Sequence, residues 1–231
     1  MTQRSAIITG AGGAIAGHLI RACEHAGWKL ALIAYSDDEA DRLCRSHADA
    51  VVVRGDLADD AAAVDTLQTA MVALGGAPDA LFNIAGGFAM ANAVDSTPSQ
   101  FEAQLSINLR TAFNACRAVL PGMLQRGHGF ILGVGAAAAI DGGAGMGAYA
   151  ASKAALVTWL KSLRAEVASK GVEVAIVYPM AAVDTPGNRA AMPDSDPSRW
   201  IDPDELAATI LHMASRSSRG RLLEARVYPP A

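Results

Sequence analysis

A tyrosine and a lysine four positions apart are the residues of this sequence best suited to moving a proton. Tyr149 and Lys153 fall in a stretch of helical period, residues 148–169, so their side chains would share one face of a helix. A free tyrosine has a pKa of about 10, and a neighbouring ammonium favours its phenolate form. The pair is therefore predicted to act in acid/base catalysis, with Tyr149 as the proton carrier.

A glycine-rich stretch near the start of the sequence is typical of a loop that binds phosphate. Residues 9–17 read Thr-Gly-Ala-Gly-Gly-Ala-Ile-Ala-Gly and lie between an apolar run and a helical stretch. Small residues allow backbone N–H groups to approach a pyrophosphate, and the N-terminus of a helix adds partial positive charge. The residues predicted to contact a dinucleotide here are Gly10, Gly12, Gly13, Ala14 and Ile15. An ordinary strand-to-helix turn is the alternative.

Short β-branched runs alternate along the chain with longer alanine-rich stretches, which is typical of βαβ units. Strands are predicted at residues 6–8, 30–33, 51–53, 80–82, 130–134, 172–177 and 222–227. Helices are predicted at residues 14–26, 39–46, 61–73, 100–123, 148–169 and 203–215. The pattern predicts one α/β domain over residues 1–231, a Rossmann-type doubly wound sheet of about seven mostly parallel strands with helices on both faces.

The order of these elements predicts where the tyrosine and lysine lie. Tyr149 and Lys153 follow the fifth predicted strand and a loop rich in glycine and alanine. Ligands of open α/β sheets bind beyond the carboxyl ends of the strands. The pair is therefore expected at the edge of the sheet where a ligand would sit.

The composition argues against several classes of protein. A net charge of -4 and a pI near 5.7 lack the basic excess that phosphate-backbone binding needs, so neither DNA nor RNA is expected as a partner. Cys23, Cys44 and Cys116 lie far apart and no His or Cys group has metal-ligand spacing, so no metal and a reducing compartment are expected. No apolar run reaches the ~18 residues that cross a bilayer, and no signal peptide is evident. We expect a cytoplasmic protein that acts on a small molecule, without a membrane partner.

The end of the second strand bears on the choice between NAD and NADP. NAD-binding folds commonly place an acidic residue there against the adenosine ribose, whereas here Ala34 is followed by Tyr35 and Ser36. Because Ala34 does not repel a 2′-phosphate and the Ser36 hydroxyl can bond one, NADP is favoured over NAD, and Tyr35 and Ser36 are predicted to line the pocket. Asp37 and Asp38 argue for NAD unless they are N-cap residues of the next helix.

The ordered motifs along the whole chain resemble those of the short-chain dehydrogenase/reductase family. The matching residues are Thr9, Gly10, Asp56, Leu57, Asn83, Ile84, Ala85, Gly86, Asn108, Tyr149, Lys153, Pro179 and Thr185. The resemblance implies an NAD(P)-dependent oxidoreductase of small organic substrates. It also implies assembly as a homodimer or homotetramer, through the helices predicted at residues 100–123 and 148–169.

The same resemblance implies roles for individual residues. Cofactor contacts are implied for the residues that follow the third, fourth and sixth strands, namely Asp56, Leu57, Asn83, Ala85, Gly86, Pro179, Val183 and Thr185. Asp56 and Leu57 would meet adenine, and Thr185 would meet the nicotinamide carboxamide. Lys153 would hold the nicotinamide ribose, and Asn108 would maintain a water-linked proton relay to Lys153. Taken singly, Asp56 could instead cap a turn and Asn108 could be a polar helix residue.

The sequence departs from the family where a serine normally hydrogen-bonds the substrate oxygen. That position, thirteen residues before Tyr149, is Ala136, which has no donor. A missing donor to a developing oxyanion typically costs about 10²–10³ in rate, so a C=N substrate or weak activity on C=O groups is expected. Alanine at this position and in the phosphate loop also resembles dihydropteridine reductase, which makes a pterin reductase one alternative. A dinucleotide-binding sensor or structural subunit without turnover is the other.

Apolar loop residues are the candidates for a substrate pocket. Phe88, Met146 and Met180 follow the fourth, fifth and sixth strands and would line the pocket beside Ala136. Packing of the same side chains against the sheet is the alternative interpretation.

Overall fold

The computed structural model describes residues 3–231 and alternates strands with helices, as the sequence predicts. The strands are β1 Ser5–Thr9, β2 Lys29–Ala34, β3 Val51–Arg54, β4 Ala80–Asn83, β5 Gly129–Val134, β6 Val172–Pro179 and β7 Glu224–Val227. The helices are α1 Ala14–His25, α2 Asp37–Ser46, α3 Asp60–Leu74, α4 Pro98–Leu105, α5 Thr111–Arg126, α6 Ala138–Asp141, α7 Gly147–Val167, α8 Pro186–Ala191 and α9 Pro203–Ala214.

All seven strands form one parallel sheet in the order β3-β2-β1-β4-β5-β6-β7. The predicted fold class, a doubly wound Rossmann-type sheet, is confirmed. Because β1 lies between β2 and β4, the direction in which successive strands are added reverses at β1. A crevice therefore opens beyond the carboxyl ends of β1 and β4, where open α/β sheets bind their ligands.

Two hydrophobic layers cover the two faces of the sheet. Neighbouring residues of one strand point to opposite layers: Ile8 and Phe82 pack in the layer that includes α1 and α9. Ile7 and Leu81 pack in the layer formed with α3, α5 and α7. All four side chains are fully buried. Burial on both faces explains why the strands read as continuous apolar runs in the sequence.

The elements differ from the sequence-based expectations in three respects. The single helix predicted over residues 100–123 is divided into α4 and α5 by a π-helical turn, Ser106–Arg110. The short helices α6 and α8 were not predicted, because four and six residues are too few to show a periodic pattern. Strand β7 begins at Glu224, two residues later than predicted, although Leu223 O already accepts a hydrogen bond from Ile176 N at 2.9 Å.

Candidate active site and dinucleotide-binding edge

Tyr149 and Lys153 lie in the first two turns of α7, beside the carboxyl end of β5. Lys153 is 6% exposed, and its Nζ donates a hydrogen bond of 2.9 Å to the carbonyl oxygen of Val134. The Tyr149 ring packs edge-to-face against Phe88, with 4.8 Å between ring centroids. A Cβ atom at Gly86 would lie 3.3 Å from Lys153 Nζ, so the loop after β4 also borders the pair. The structure therefore places the predicted pair at the expected edge of the sheet.

Asn108 joins the loop after β4 to helix α7 from within the π-helical turn. Its Oδ1 accepts from Gly87 N at 3.0 Å, and its Nδ2 donates to Gly87 O at 2.9 Å. The same Nδ2 lies 3.0 Å from Ser152 Oγ and 3.3 Å from Gln104 Oε1. Ser152 Oγ in turn donates to Tyr149 O at 2.7 Å. Asn108 is fully buried, and π-helical turns often occur at functional sites.

Two residues of this hydrogen-bonded group were missed by the sequence analysis. Gln104 lies four positions before Asn108, and Ser152 lies between Tyr149 and Lys153. Both are buried polar side chains, and such groups normally need a hydrogen-bond partner. Their spacing was a usable signal, since Gln104 lies four positions before Asn108, Ser152 lies three after Tyr149, and positions three or four apart share a helix face.

Burial shifts the pKa values of Tyr149 and Lys153 in opposite directions. Removal from water lowers the pKa of Lys153 to about 8, and it raises the pKa of Tyr149 above its ordinary value. The sequence-based expectation was that Lys153 lowers the pKa of Tyr149. In the structure, burial of the phenol instead raises the pKa of Tyr149, and the Lys153 ammonium donates its hydrogen bond to the Val134 carbonyl.

The glycine-rich loop connects β1 to α1 in a shape that fits a pyrophosphate. Gly10 has φ +62°, and a Cβ atom there would lie 2.6 Å from the Cα of Ala85. Gly13 N donates to Gly10 O at 3.0 Å, which closes the turn, and Gly13 is the N-cap residue of α1. Gly13 and Ala14 are exposed, and within residues 3–231 no side chain caps this helix. The first-turn N–H groups are thus directed to the position that a phosphate takes at a helix N-terminus.

The residues after β2 form a hydrogen-bonded group, and their roles differ from those predicted from the sequence. Ser36 Oγ accepts from Glu39 N at 3.3 Å and caps α2, so this hydroxyl has a structural partner. Glu39 Oε2 accepts from Tyr35 N at 2.9 Å. A Cβ atom at Gly12 would lie 2.7 Å from that same carboxylate oxygen. Glu39 was missed, although Ser-x-x-Glu before a helix is a capping-box pattern.

The alternative in which Asp37 and Asp38 are N-cap residues of α2 is wrong. The cap is Ser36, and both aspartates occupy the first turn of α2, where their charge favours the helix dipole. Asp37 Oδ1 also pairs with Arg54 Nε at 2.9 Å, at the end of β3.

The predicted adenine and cofactor-support residues mostly shape the loops. Asp56 Oδ1 accepts from Ala58 N at 2.8 Å and so closes a turn. Leu57 is 5% exposed, and its carbonyl oxygen accepts from Asn114 Nδ2 at 2.9 Å. Asn83 is buried and donates to Leu132 O at 3.3 Å. The side chains of Leu57 and Asn83 therefore hold the edge of the sheet in place from within.

The segment after β6 holds three predicted cofactor residues in different surroundings. Pro179 O accepts from Ala137 N at 3.1 Å, which ties this segment to the loop that carries Ala136. Val183 is 5% exposed and bridges to Ile201. Thr185 Oγ1 accepts from Asn188 N at 3.2 Å and caps α8.

The predicted pocket residues differ in their solvent exposure. Phe88 is 54% exposed and touches Tyr149, as a pocket residue should. Ala136 is 7% exposed. Met146 is half-buried at the start of α7. Met180 is half-buried and packs against the core beneath α7, so the packing interpretation applies to part of its surface.

The described part of the chain contains neither a cluster of metal ligands nor a helix suited to a membrane. Within residues 3–231, no group of three or more His, Cys, Asp or Glu side chains is arranged to hold a metal ion. Over the same residues, no helix combines the length and the apolar character needed to cross a bilayer.

Comparisons with known proteins agree with this geometry. A family model described as short chain dehydrogenase matches residues 4–196. The chain is 32% identical to 2-keto-3-deoxy-L-fuconate dehydrogenase of Xanthomonas campestris pv. campestris, over 92% of this chain and 74% of that protein. It is 34% identical to 2-(R)-hydroxypropyl-CoM dehydrogenase of Xanthobacter autotrophicus, over 80% and 76%.

A solved structure supports the same assignment. The gluconate 5-dehydrogenase of Burkholderia cenocepacia, in complex with NADP and tartrate, has a TM-score of 0.89 and 27% identity, over 99% of this chain and 94% of that one. With the Rossmann-type sheet and the ordered motifs on its carboxyl edge, these matches show that the chain belongs to the short-chain dehydrogenase/reductase family of NAD(P)-dependent oxidoreductases.

Proposed function

We propose that this oxidoreductase reduces a C=O or C=N group of a small organic molecule, with Tyr149 as the proton donor and without a catalytic serine. The observation that carries the proposal is the accessible contact between Phe88 and the Tyr149 ring, directly beside the buried Lys153. The relatives named above are dehydrogenases, which supports hydride transfer between a dinucleotide and a carbon centre.

The dinucleotide, when bound, supplies the hydride. The chain's part is to hold it, and the residues suited to this are the loop from Gly10 to Ile15 at the N-terminus of α1. The Lys153 ammonium borders the loop after β4 at Gly86 and is suited to hold the nicotinamide ribose. Both NAD and NADP carry the same pyrophosphate, so the choice between them depends on the residues after β2.

The proton is delivered from Tyr149 Oη. Because burial raises the pKa of Tyr149, the phenol stays protonated at neutral pH and is ready to donate. Asn108 and Ser152 hold the backbone around Tyr149, and they connect it to the loop at Gly87. Lys153, with a pKa of about 8, is able to take part in restoring the proton near neutral pH.

Ala136 restricts the substrates that suit this site. Its methyl group cannot donate to an oxygen on which negative charge develops, whereas the reduction of a C=N bond produces a nitrogen that needs only a proton. This is the basis for including imines and pterins beside ketones. The resemblance to dihydropteridine reductase remains a prediction of the sequence.

Two further inferences concern assembly and compartment. The outer face of α5 and α7 carries Phe113, which is 40% exposed and packs against Trp159 with 5.4 Å between ring centroids. An aromatic pair with one exposed member on these helices supports pairing of subunits there. Val157 and Leu160 of α7 are buried against the chain's own sheet and do not contribute to such a surface. The free thiols of Cys23, Cys44 and Cys116 fit a reducing compartment, and we propose the cytoplasm.

Replacement of Tyr149 by phenylalanine should lower kcat by at least about 10²-fold, because the proton donor is lost. The dissociation constant of the reduced dinucleotide should change less than about twofold, since the ring and its contact with Phe88 remain. Steady-state turnover of ketones, cyclic imines and quinonoid dihydropterin, with fluorescence titration of the dinucleotide, measures both. Tyr228→Phe, at an exposed tyrosine, is the matched control. Binding of dinucleotide without turnover of any substrate by the wild type would favour a sensor instead.

The buried ammonium of Lys153 should make stability depend on pH. The folded protein loses this proton near pH 8 and the unfolded chain near 10.5, so the unfolded chain binds more protons between these values. The wild type should therefore gain stability relative to Lys153→Met as pH rises, by about 2 kcal/mol between pH 7 and pH 10. Urea unfolding at several pH values measures the difference. Lys170→Met, at an exposed lysine, should show no such trend. A difference that is independent of pH would refute the buried charge.

Replacement of Ala136 by serine should raise kcat/KM for ketones by about tenfold or more, because the new hydroxyl can donate to the developing alkoxide. The same change should alter the reduction of cyclic imines by less than about threefold. Parallel assays on the two substrate classes make the comparison, with Ala137→Ser as the control at the neighbouring position. Equal effects on both classes would show that Ala136 does not select between them.

A further inference from the structure

A carboxylate from α2 lies beside the end of β2 and bears on whether the site prefers NAD or NADP. We propose that Glu39 makes the site selective for NAD over NADP. It supplies the carboxylate that Ala34, at the end of β2, lacks. This inference rests on the proposed function only in that it requires the chain to bind a dinucleotide. It replaces the NADP preference expected from the sequence.

Glu39 is held in one position by three contacts. Its Oε2 accepts from Tyr35 N at 2.9 Å, and its own N–H donates to the Ser36 cap at 3.3 Å. Its Cγ and Oε2 both lie 2.7 Å from the place where a Cβ of Gly12 would be, so the side chain lies directly against the glycine-rich loop. Only glycine at position 12 leaves room for the carboxylate at this point.

This position coincides with the place where Rossmann folds bind the adenosine ribose. The pyrophosphate sits at the N-terminus of the first helix, and the ribose extends from there toward the end of the second strand, where an acidic residue bonds its hydroxyls. Glu39 reaches the same place from the first turn of α2, although it lies five residues after Ala34. One carboxylate oxygen bonds Tyr35 N, and the other is suited to accept from a ribose hydroxyl.

The 2′-phosphate of NADP would meet unfavourable charge at this position. A phosphate monoester carries about −1.5 to −2 charge at neutral pH, and the Glu39 carboxylate is fixed beside it. Asp37 and Asp38 add two further carboxylates in the same turn of α2. Arg54, a cation at the end of β3, is engaged by this turn, since its Nε is paired with Asp37 at 2.9 Å.

One feature that favoured NADP in the sequence, the Ser36 hydroxyl, has a different role in the structure. The Ser36 hydroxyl accepts the Glu39 N–H as a helix cap, so it is already engaged by the protein. The positive end of α2, which would attract a phosphate, is already balanced by the acidic side chains of its own first turn.

The test is a titration of NADH and NADPH by fluorescence, with no substrate present, so that binding is measured apart from turnover. The wild type should bind NADH at least tenfold more tightly than NADPH. Glu39→Gln keeps the size of the side chain and an acceptor for Tyr35 N but removes the charge, and it should reduce this ratio at least tenfold, mainly through tighter NADPH binding. Glu39→Ser, a smaller side chain, should shift the ratio in the same direction.

Asp41→Asn is the matched control. It removes the same charge from the same helix, but Asp41 lies two positions beyond Glu39 and therefore on the opposite face. Its ratio of NADH affinity to NADPH affinity should stay within twofold of the ratio for the wild type. Equal affinity of the wild type for the two dinucleotides, tighter binding of NADPH, or a ratio that Glu39→Gln leaves unchanged would overturn this inference alone. Failure of the folded wild type to bind either dinucleotide would overturn the proposed function together with this inference.

Discussion

The burial of the Lys153 ammonium is the constraint around which this edge of the sheet is built. A buried cation costs several kcal/mol unless polar groups replace the water it loses. Here the Val134 carbonyl accepts its hydrogen bond, and the pKa of Lys153 falls to about 8. A Cβ atom at Gly86 would lie 2.9 Å from Asn108 Oδ1 and 3.3 Å from Lys153 Nζ, so a side chain there would crowd both groups. The buried ammonium therefore restricts which residues can lie around it.

The two parts of the proposed site are built from different groups, because one would bind the dinucleotide and the other would transfer a proton. The dinucleotide half is formed mainly by backbone, with Gly10 and Gly12 allowing close approach of Ala85 and Glu39. The catalytic half is formed by side chains whose hydrogen bonds run from Gly87 through Asn108 and Ser152 to the Tyr149 backbone. Such a connected network fixes the backbone at Tyr149, the proposed proton donor, in one place. In the proposed function, Ala136 offers no hydroxyl, and the fixed phenol is the group that meets the substrate.

The sequence predicted the strands, and the placement of Tyr149 and Lys153 together at the edge of the sheet, because these signals are local. Continuous apolar runs mark strands buried on both faces, and the spacing of Tyr149 and Lys153 marks one helix face. The π-helical turn at Asn108 was not predictable, since it depends on hydrogen bonds to Gly87 and Ser152 from other elements. Glu39 was missed for a similar reason: its importance comes from contact with Gly12, which is distant in sequence. The raised pKa of Tyr149 depends on burial, which spacing does not reveal.

We propose that burial keeps Tyr149 protonated and that Lys153, together with an oxidised dinucleotide, controls when the phenol loses its proton. Titration of ¹³C-labelled tyrosine by NMR tests this directly, with the Tyr149 signal assigned by its absence in Tyr149→Phe. In the protein alone the pKa should lie above 10, the ordinary value. With saturating oxidised dinucleotide it should fall by at least one unit, and the fall should be lost in Lys153→Met. A Tyr149 pKa that is below 10 in the protein alone, or that does not respond to the oxidised dinucleotide, would contradict the account.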